Sequence, residues 1–340
     1  VPAPKTRRKR AAKKPTRPAP EVPPASRQRL LRTSERTTFK TCRWQWLQNY
    51  HHRLRPIEEK PALRFGTLVH AALEARYPKG IQRGPKPAGV FEKLYAADLK
   101  ASEELWGMRD GDDEWTKALE LGVDMLEGFV DEYGRDEEWE VVQSEMTFQV
   151  PVFKTCFHCG GGAKKNCQVC KGSGQLYDFT YVGTMDGVWK NRMDGRVRVI
   201  DWKTTSKNPV QEGASKGVLD EQATAYWTWG VDYLIQEGIL KPRDQQAMDG
   251  MLYTFLFKGK KDPRPVDAAG CSLNQDGSVS KQQPTPRFHR ELVYRQEADR
   301  EAARLRVIQE LDDIRAVERE QIAAYKNPAT GSMGHCGWCA

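Results

Sequence analysis

No stretch of this chain approaches the roughly 18 consecutive apolar residues of a membrane span, and no signal-peptide pattern opens it. A soluble, cytoplasmic protein is the expectation. Acid is almost missing from the first 32 residues, where Glu21 stands against 11 lysines and arginines for a net charge of +10. The remainder carries 43 basic and 45 acidic residues. The body is therefore not basic as a whole, and any nucleic-acid groove in it has to be a local patch. Little in VPAPKTRRKRAAKKPTRPAPEVPPASRQR can be buried, which predicts that residues 1–32 form a disordered basic tail. Such an arm adds salt-sensitive affinity for phosphate backbones; a linker, a solubilising segment or a localisation signal is the plainer reading. At 340 residues the chain can bury one sizeable core with appendages.

What is present is organised around YVGTMDGVWKNRMDGRVRVIDWKTTS, Tyr181 to Ser206. Two runs rich in Val, Ile, Trp and Thr flank a polar turn containing Asp194-Gly195, which predicts a β-hairpin. Side chains alternate along a strand, so Asp201 and Lys203 share a face. A two-residue turn sets Asp186 opposite Lys203; a four-residue loop, Arg192 to Gly195, sets it opposite Asp201. Both registers gather Asp186, Asp201 and Lys203 on one face. Two carboxylates about 4 Å apart repel by roughly 4 kcal/mol at an effective dielectric near 20. Lys203 and a hard divalent cation such as Mg²⁺ would offset that, and the set could then activate water at a phosphodiester. An ordinary solvated salt bridge is the bland alternative.

Around this hairpin, SERTTFKTCRWQWLQNYHHRL predicts an aromatic-rich helix capped at Ser34 or Thr37, with Phe39, Cys42, Trp46 and Tyr50 at helical spacing. In RFGTLVHAALEARY, Gly66 is placed at a helix start and His70 lies within an apolar stripe, more in keeping with a packed histidine than a ligand. Residues 80–136 read as scaffold helices. EWEVVQSEMTFQVPVF alternates as a strand; Glu145 on it is either a third acid near the metal or a surface charge. VLDEQATAYWTWGVDYLIQEG predicts one helix with Gln222 and Tyr226 on one face, GMLYTFLFKGK a central strand, and RQEADREAARLRVIQELDDIRAVEREQIAAY a long charged helix.

Cys156, Cys159, Cys167 and Cys170 form two Cys-x-x-Cys knuckles, a spacing that suits one tetrahedral Zn²⁺. A redox pair is the alternative. CQVCKGSG resembles the repeat of the DnaJ-type zinc domain, which implies a small zinc hairpin over residues 153–176, inserted between two strands.

The ordered series His70 in FGTLVH, Asp186 in GTMDG, Asp201 and Lys203 in IDWKTT, and Gln222 and Tyr226 in QATAY resembles the RecB-like branch of the PD-(D/E)XK nuclease superfamily, over residues 33–340. The resemblance implies an α/β fold: a restriction-endonuclease-like core with a central mixed sheet flanked by helices. It implies Mg²⁺ or Mn²⁺ on Asp186, Asp201, the Trp202 carbonyl and His70, which reverses the plainer reading of that histidine. Lys203 would orient or activate water, and Gln222 and Tyr226 would touch the DNA or align Lys203. The activity implied is a metal-dependent DNA exonuclease of recombination, repair or end processing, in a bacterial or phage-infected cell, with an annealase or helicase as partner. A DNA-end-binding module with a vestigial site is the alternative. Part of this branch carries a 4Fe-4S cluster on one early and three late cysteines; Cys42, Cys336 and Cys339 match three positions, and a fourth ligand would lie beyond Ala340.

Overall fold

The computed structural model describes residues 17–55, 61–106, 112–241 and 248–326. The chain divides into two compact units. One comprises the residues up to Leu31 with Pro151–Tyr181; the other comprises Arg32–Val150 and the chain from Val182 onward.

The sheet follows from the β-branched and aromatic runs. Strands β1 (Leu30–Leu31), β2 (Trp139–Thr155), β3 (Gln175–Asn191), β4 (Val197–Thr205), β5 (Met248–Phe257) and β6 (Phe288–Val293) join in the order β1-β3-β4-β5-β6, with β2 also paired to β3. β3 and β4 are antiparallel, β4 and β5 parallel, and β5 and β6 antiparallel. The sheet is mixed, as expected. β5 is central and apolar, because a strand with neighbours on both edges and packing on both faces leaves little room for charge.

In the larger unit α3 (Pro61–Arg76), α4 (Pro87–Trp106) and α5 (Asp112–Tyr133) bury one face of the sheet. Val69, Leu73, Phe91, Leu126 and Phe129 pack with Trp189, Ile200 and Trp202 of β3 and β4. Alternation along β4 turns Ile200 and Trp202 to this core and Asp201 and Lys203 to the opposite face. The core also holds a charged lock. Tyr77 donates to Asp136 Oδ2 at 2.6 Å, and Arg290 on β6 grips both Asp136 oxygens at 2.8 Å. Burial and the Asp136 carboxylate hold the Tyr77 phenol firmly protonated.

Several local expectations are corrected. The first helix breaks at Cys42: α1 (Thr33–Thr41) ends there in extended backbone, and α2 (Arg43–Trp46) runs into a π-helical turn, Leu47–His51. Its N-cap is Arg32, not Ser34 or Thr37. α3 begins at Pro61, where a missing N–H costs nothing, so Gly66 lies inside the helix. The helix expected over residues 218–238 starts at Glu221, after a separate α6 (Pro209–Leu219), and then runs without a break through α7 (Glu221–Ala225), a π-helical turn at Tyr226–Gly230 and α8 (Val231–Gln236). The long charged helix is α9 (Glu297–Glu318).

In the smaller unit, residues 1–16 of the expected tail lie outside the described residues. Leu30 and Leu31 pair in parallel with Thr180 and Tyr181, so regular structure starts before Thr33. The Arg29 carbonyl accepts from the Thr180 amide at 2.8 Å, continuing that ladder. The cysteine knuckles occupy the connection between β2 and β3.

Candidate active site

The hairpin loop decides the register. Asn191 N–H donates to the Arg196 carbonyl at 2.9 Å, and Asn191 Oδ1 accepts from the amides of Met193 and Asp194. The loop is thus the four residues Arg192 to Gly195. Gly195 takes φ +71°, where a side chain would be strained. Val188 pairs with Val199 and Gly187 with Ile200. One step further along this register, Asp186 comes beside Asp201, the pairing in which the two carboxylates crowd most.

Asp201 is 1 % exposed, and its Oδ2 is 2.6 Å from Lys203 Nζ. Gln222, in the first turn of α7, bridges the pair: its amide donates to Asp201 Oδ1 at 3.0 Å and its carbonyl accepts from Lys203 at 3.1 Å. Asp220 holds that turn by capping Ala223 N–H at 2.8 Å. Gln222 also donates to Tyr226 Oη at 2.8 Å, and Tyr226 donates to the Thr184 carbonyl. From the other side, Asp186 Oδ2 accepts the Trp202 amide at 2.8 Å and lies 3.3 Å from His70 Nδ1 on α3. Contacts thus join His70 to Asp186, and Asp201, Lys203, Gln222 and Tyr226 to one another; the two groups meet on β4, where the Trp202 amide held by Asp186 lies between Asp201 and Lys203 in the chain.

The charges perturb one another as their crowding requires. Burial, with the repulsion of Asp186 added, pushes the Asp201 carboxyl up to about 6 against the pull of Lys203. Burial alone would lower Lys203, but Asp201 outweighs it and the ammonium is held above its usual range. Burial likewise disfavours the His70 cation, and the hydrogen bond and charge of Asp186 reverse that. Glu74, one turn beyond His70, is raised by burial and by the charges of Glu145 and Asp186. Glu145 itself is exposed on β2. Glu74 was not picked out by sequence reasoning; its position four residues after His70, on the same helix face, is the signal that points to it.

Two carboxylates are oxygen donors of the kind a small hard cation prefers, and here the buried Asp201 and the half-buried Asp186 crowd beside a single lysine. The residues fit Mg²⁺ or Mn²⁺. They form an open arrangement: among the described residues, only the four cysteines make a set of three or more His, Cys, Asp or Glu donors with all ligand atoms within 4.8 Å of one another. Beside Gln222 and Tyr226 opens a cavity of about 500 Å³, lined by Arg32, Thr33, Ser34, Thr37 and Thr184 among others, with no carboxylate in its wall.

The four cysteines form a second centre, within the smaller unit. Cys156 and Cys167 Sγ are 3.8 Å apart, and Cys159 and Cys170 Sγ 3.6 Å. Four thiolates at 2.3 Å from a tetrahedral zinc stand about 3.8 Å apart, so the set fits that ion, and the separations rule out disulfides. Gly174 N–H donates to Cys170 Sγ at 3.3 Å. Although burial works the other way, hydrogen bonds from Cys167 and the Gly174 and Gly172 amides pull the Cys170 thiol down to about 6. The cluster ligands fare differently. Cys42 is buried at the break between α1 and α2, while Cys336 and Cys339 lie outside the described residues.

Among the described residues no helix is long and apolar enough to cross a membrane. No curated protein matches this chain. The profile of the PD-(D/E)XK nuclease superfamily matches residues 33–340, a span that contains His70, Asp186, Asp201, Lys203, Gln222 and Tyr226, and the chain belongs to that superfamily.

Proposed function

We propose that this protein is a metal-dependent DNA exonuclease. The observation that carries the reading is the placement of Asp186 beside the buried Asp201–Lys203 pair, with His70 and Gln222 reaching them from separate helices. Asp186, Asp201, the Trp202 carbonyl and His70 would hold Mg²⁺ or Mn²⁺. That ion, when bound, supplies Lewis acidity toward a phosphodiester oxygen and acidifies water. Asp201 holds the Lys203 ammonium above its usual range against burial, which favours a charged role for it over that of a base. Its part is to place positive charge, without reorganisation, where the pentavalent phosphate gathers negative charge. Asp201 and Gln222 fix its position, and Tyr226 fixes Gln222 through the Thr184 carbonyl. The hydroxyl-lined cavity with Arg32 and no acid suits a sugar–phosphate strand approaching Gln222.

The zinc assignment for Cys156, Cys159, Cys167 and Cys170 rests on their spacing. DNA as substrate, end-directed cleavage, a place in recombination or repair beside an annealase or helicase, and the cytoplasm of a bacterial or phage-infected cell rest on the RecB-like resemblance. So does a 4Fe-4S cluster on Cys42, Cys336, Cys339 and a fourth ligand; visible absorption of anaerobically purified protein tests it, and a colourless, iron-free preparation would remove it from the account.

Degradation of linear DNA is compared with that of a covalently closed circle in Mg²⁺, for the parent and for Asp201→Ala and Lys203→Ala. The reading expects loss of linear DNA alone, abolished in both variants. No metal-dependent cleavage by the parent, or undiminished cleavage by both variants, would sink it; equal cutting of the circle would remove the exonuclease part.

A further inference from the structure

The cysteine knuckle does more than cross-link β2 and β3. Its surface is one-sided in charge: no Asp or Glu occurs from Met146 to Tyr177, while Lys154, Lys164, Lys165 and Lys171 do. Lys154 and Lys171 are spent on ion pairs with Asp178 at 2.8 Å and Glu21 at 2.7 Å. Lys164 and Lys165, in the link between the two knuckles, are exposed to solvent. A zinc tetrathiolate would carry two net negative charges, which Lys164 and Lys165 offset, and these two ammonium groups face solvent while Cys156, Cys167 and Cys170 are buried.

The same segment displays an aromatic ring. Phe157 is 78 % exposed, although its neighbour Cys156 is fully buried. The knuckle geometry causes this, since sulfurs turned inward leave the residues between them turned out; Val169 of the second knuckle is likewise exposed. The ring is held out by a backbone fixed on either side by Cys156 and Cys159, so little conformational freedom is lost when something stacks on it. An exposed aromatic face combined with phosphate-binding cations in one short segment is how proteins grip single-stranded nucleic acid without reading its sequence. A duplex offers Phe157 no open base face, and an acidic partner would satisfy the lysines but not the ring.

We propose that the knuckle is a single-strand grip: Phe157 stacks on an unpaired base while Lys164 and Lys165 contact the flanking phosphates. The choice of ligand rests on the nucleic-acid reading above. The grip shares no residue with the carboxylate site, so its failure and that of the nuclease reading are distinguishable by measuring binding without cleavage.

The test is the anisotropy of labelled oligothymidine with zinc-replete full-length protein, in the absence of Mg²⁺ and Mn²⁺. Phe157→Ala should weaken binding at least about fivefold, and Phe157→Trp should retain it. Lys164→Ala/Lys165→Ala should lower the slope of log affinity against log salt by about 1.4, two phosphates' worth on a single strand. Affinity for a blunt duplex should be unchanged by Phe157→Ala, and zinc content unchanged throughout. Parental oligothymidine affinity in Phe157→Ala overturns the proposal, and so does an equal loss on duplex and single strand. If the binding pattern holds while the parent cleaves nothing in Mg²⁺, the nuclease reading fails and the grip stands.

Discussion

The cysteine knuckle and the Asp186–Asp201 pair face the same difficulty, negative charge concentrated in a small volume, and resolve it in opposite ways. At the knuckle all four donors come from one 15-residue segment, and their sulfurs lie within 4.8 Å of one another. Glycine turns and N–H groups shape themselves to the sulfurs. That is a closed site, complete in its ligands, suited to an ion that stays. At the carboxylates the donors come from α3, β3 and β4, and a lysine supplies part of the counter-charge. That is an open site, suited to an ion that comes and goes with substrate and water. The contrast separates a donor set suited to a retained ion from one suited to an exchanging ion.

The comparison breaks most visibly at a cysteine. Cys167→Ser should abolish zinc retention and expose residues 151–181 to proteolysis, because structural zinc contributes on the order of 10 kcal/mol to small metal-folded segments. Metal analysis and mapping of the cleavage sites check this, and cation binding at the carboxylates should survive. Next in size, Lys203→Ala should lower the cleavage rate by about 10²–10³-fold, the usual loss for one preorganised electrostatic group, with zinc content intact. Gln222→Ala should lower it by about tenfold, since Lys203 loses one hydrogen bond to a charged group; a KM rise without a kcat change would instead make Gln222 a substrate contact.

A further effect is thermal and depends on pH. The Asp201 carboxyl, raised to about 6 mainly by burial, binds its proton more tightly folded than unfolded. Stability should therefore fall as pH rises from about 4 to about 6, by at most about 3 kcal/mol. A divalent cation should restore it. The increase in Tm on adding Mn²⁺ should be larger at pH 7 than at pH 5, and Asp201→Asn should flatten that difference. An increment independent of pH would separate cation binding from Asp201.

Much of the site was legible because its signals are local. Asp201 and Lys203 are two apart on a strand, and Gln222 and Tyr226 four apart on a helix, so periodicity alone places each pair. The hairpin register was open until Asn191 closed the four-residue loop with its side chain, a choice that depends on hydrogen bonds and not on pattern. The helix break at Cys42 and the π-helical turn at Tyr226 were not readable, because packing overrides a continuous 3.6-residue period. The Tyr77–Asp136–Arg290 lock was invisible: its members stand 59 and 154 residues apart, and each alone reads as an ordinary surface or core residue. Leu30–Leu31 hid behind the charge of the tail that precedes it.

The central claim is that one chain carries a closed and an open metal centre, and a metal inventory tests it most directly. Full-length protein is dialysed against EDTA, its zinc counted, and Mn²⁺ then titrated by electron paramagnetic resonance. The account predicts one retained zinc, and Mn²⁺ binding in the parent that is lost in Asp186→Asn and in Asp201→Asn while the zinc stays. Protein that keeps no zinc, or Mn²⁺ binding indifferent to both aspartates, would contradict it.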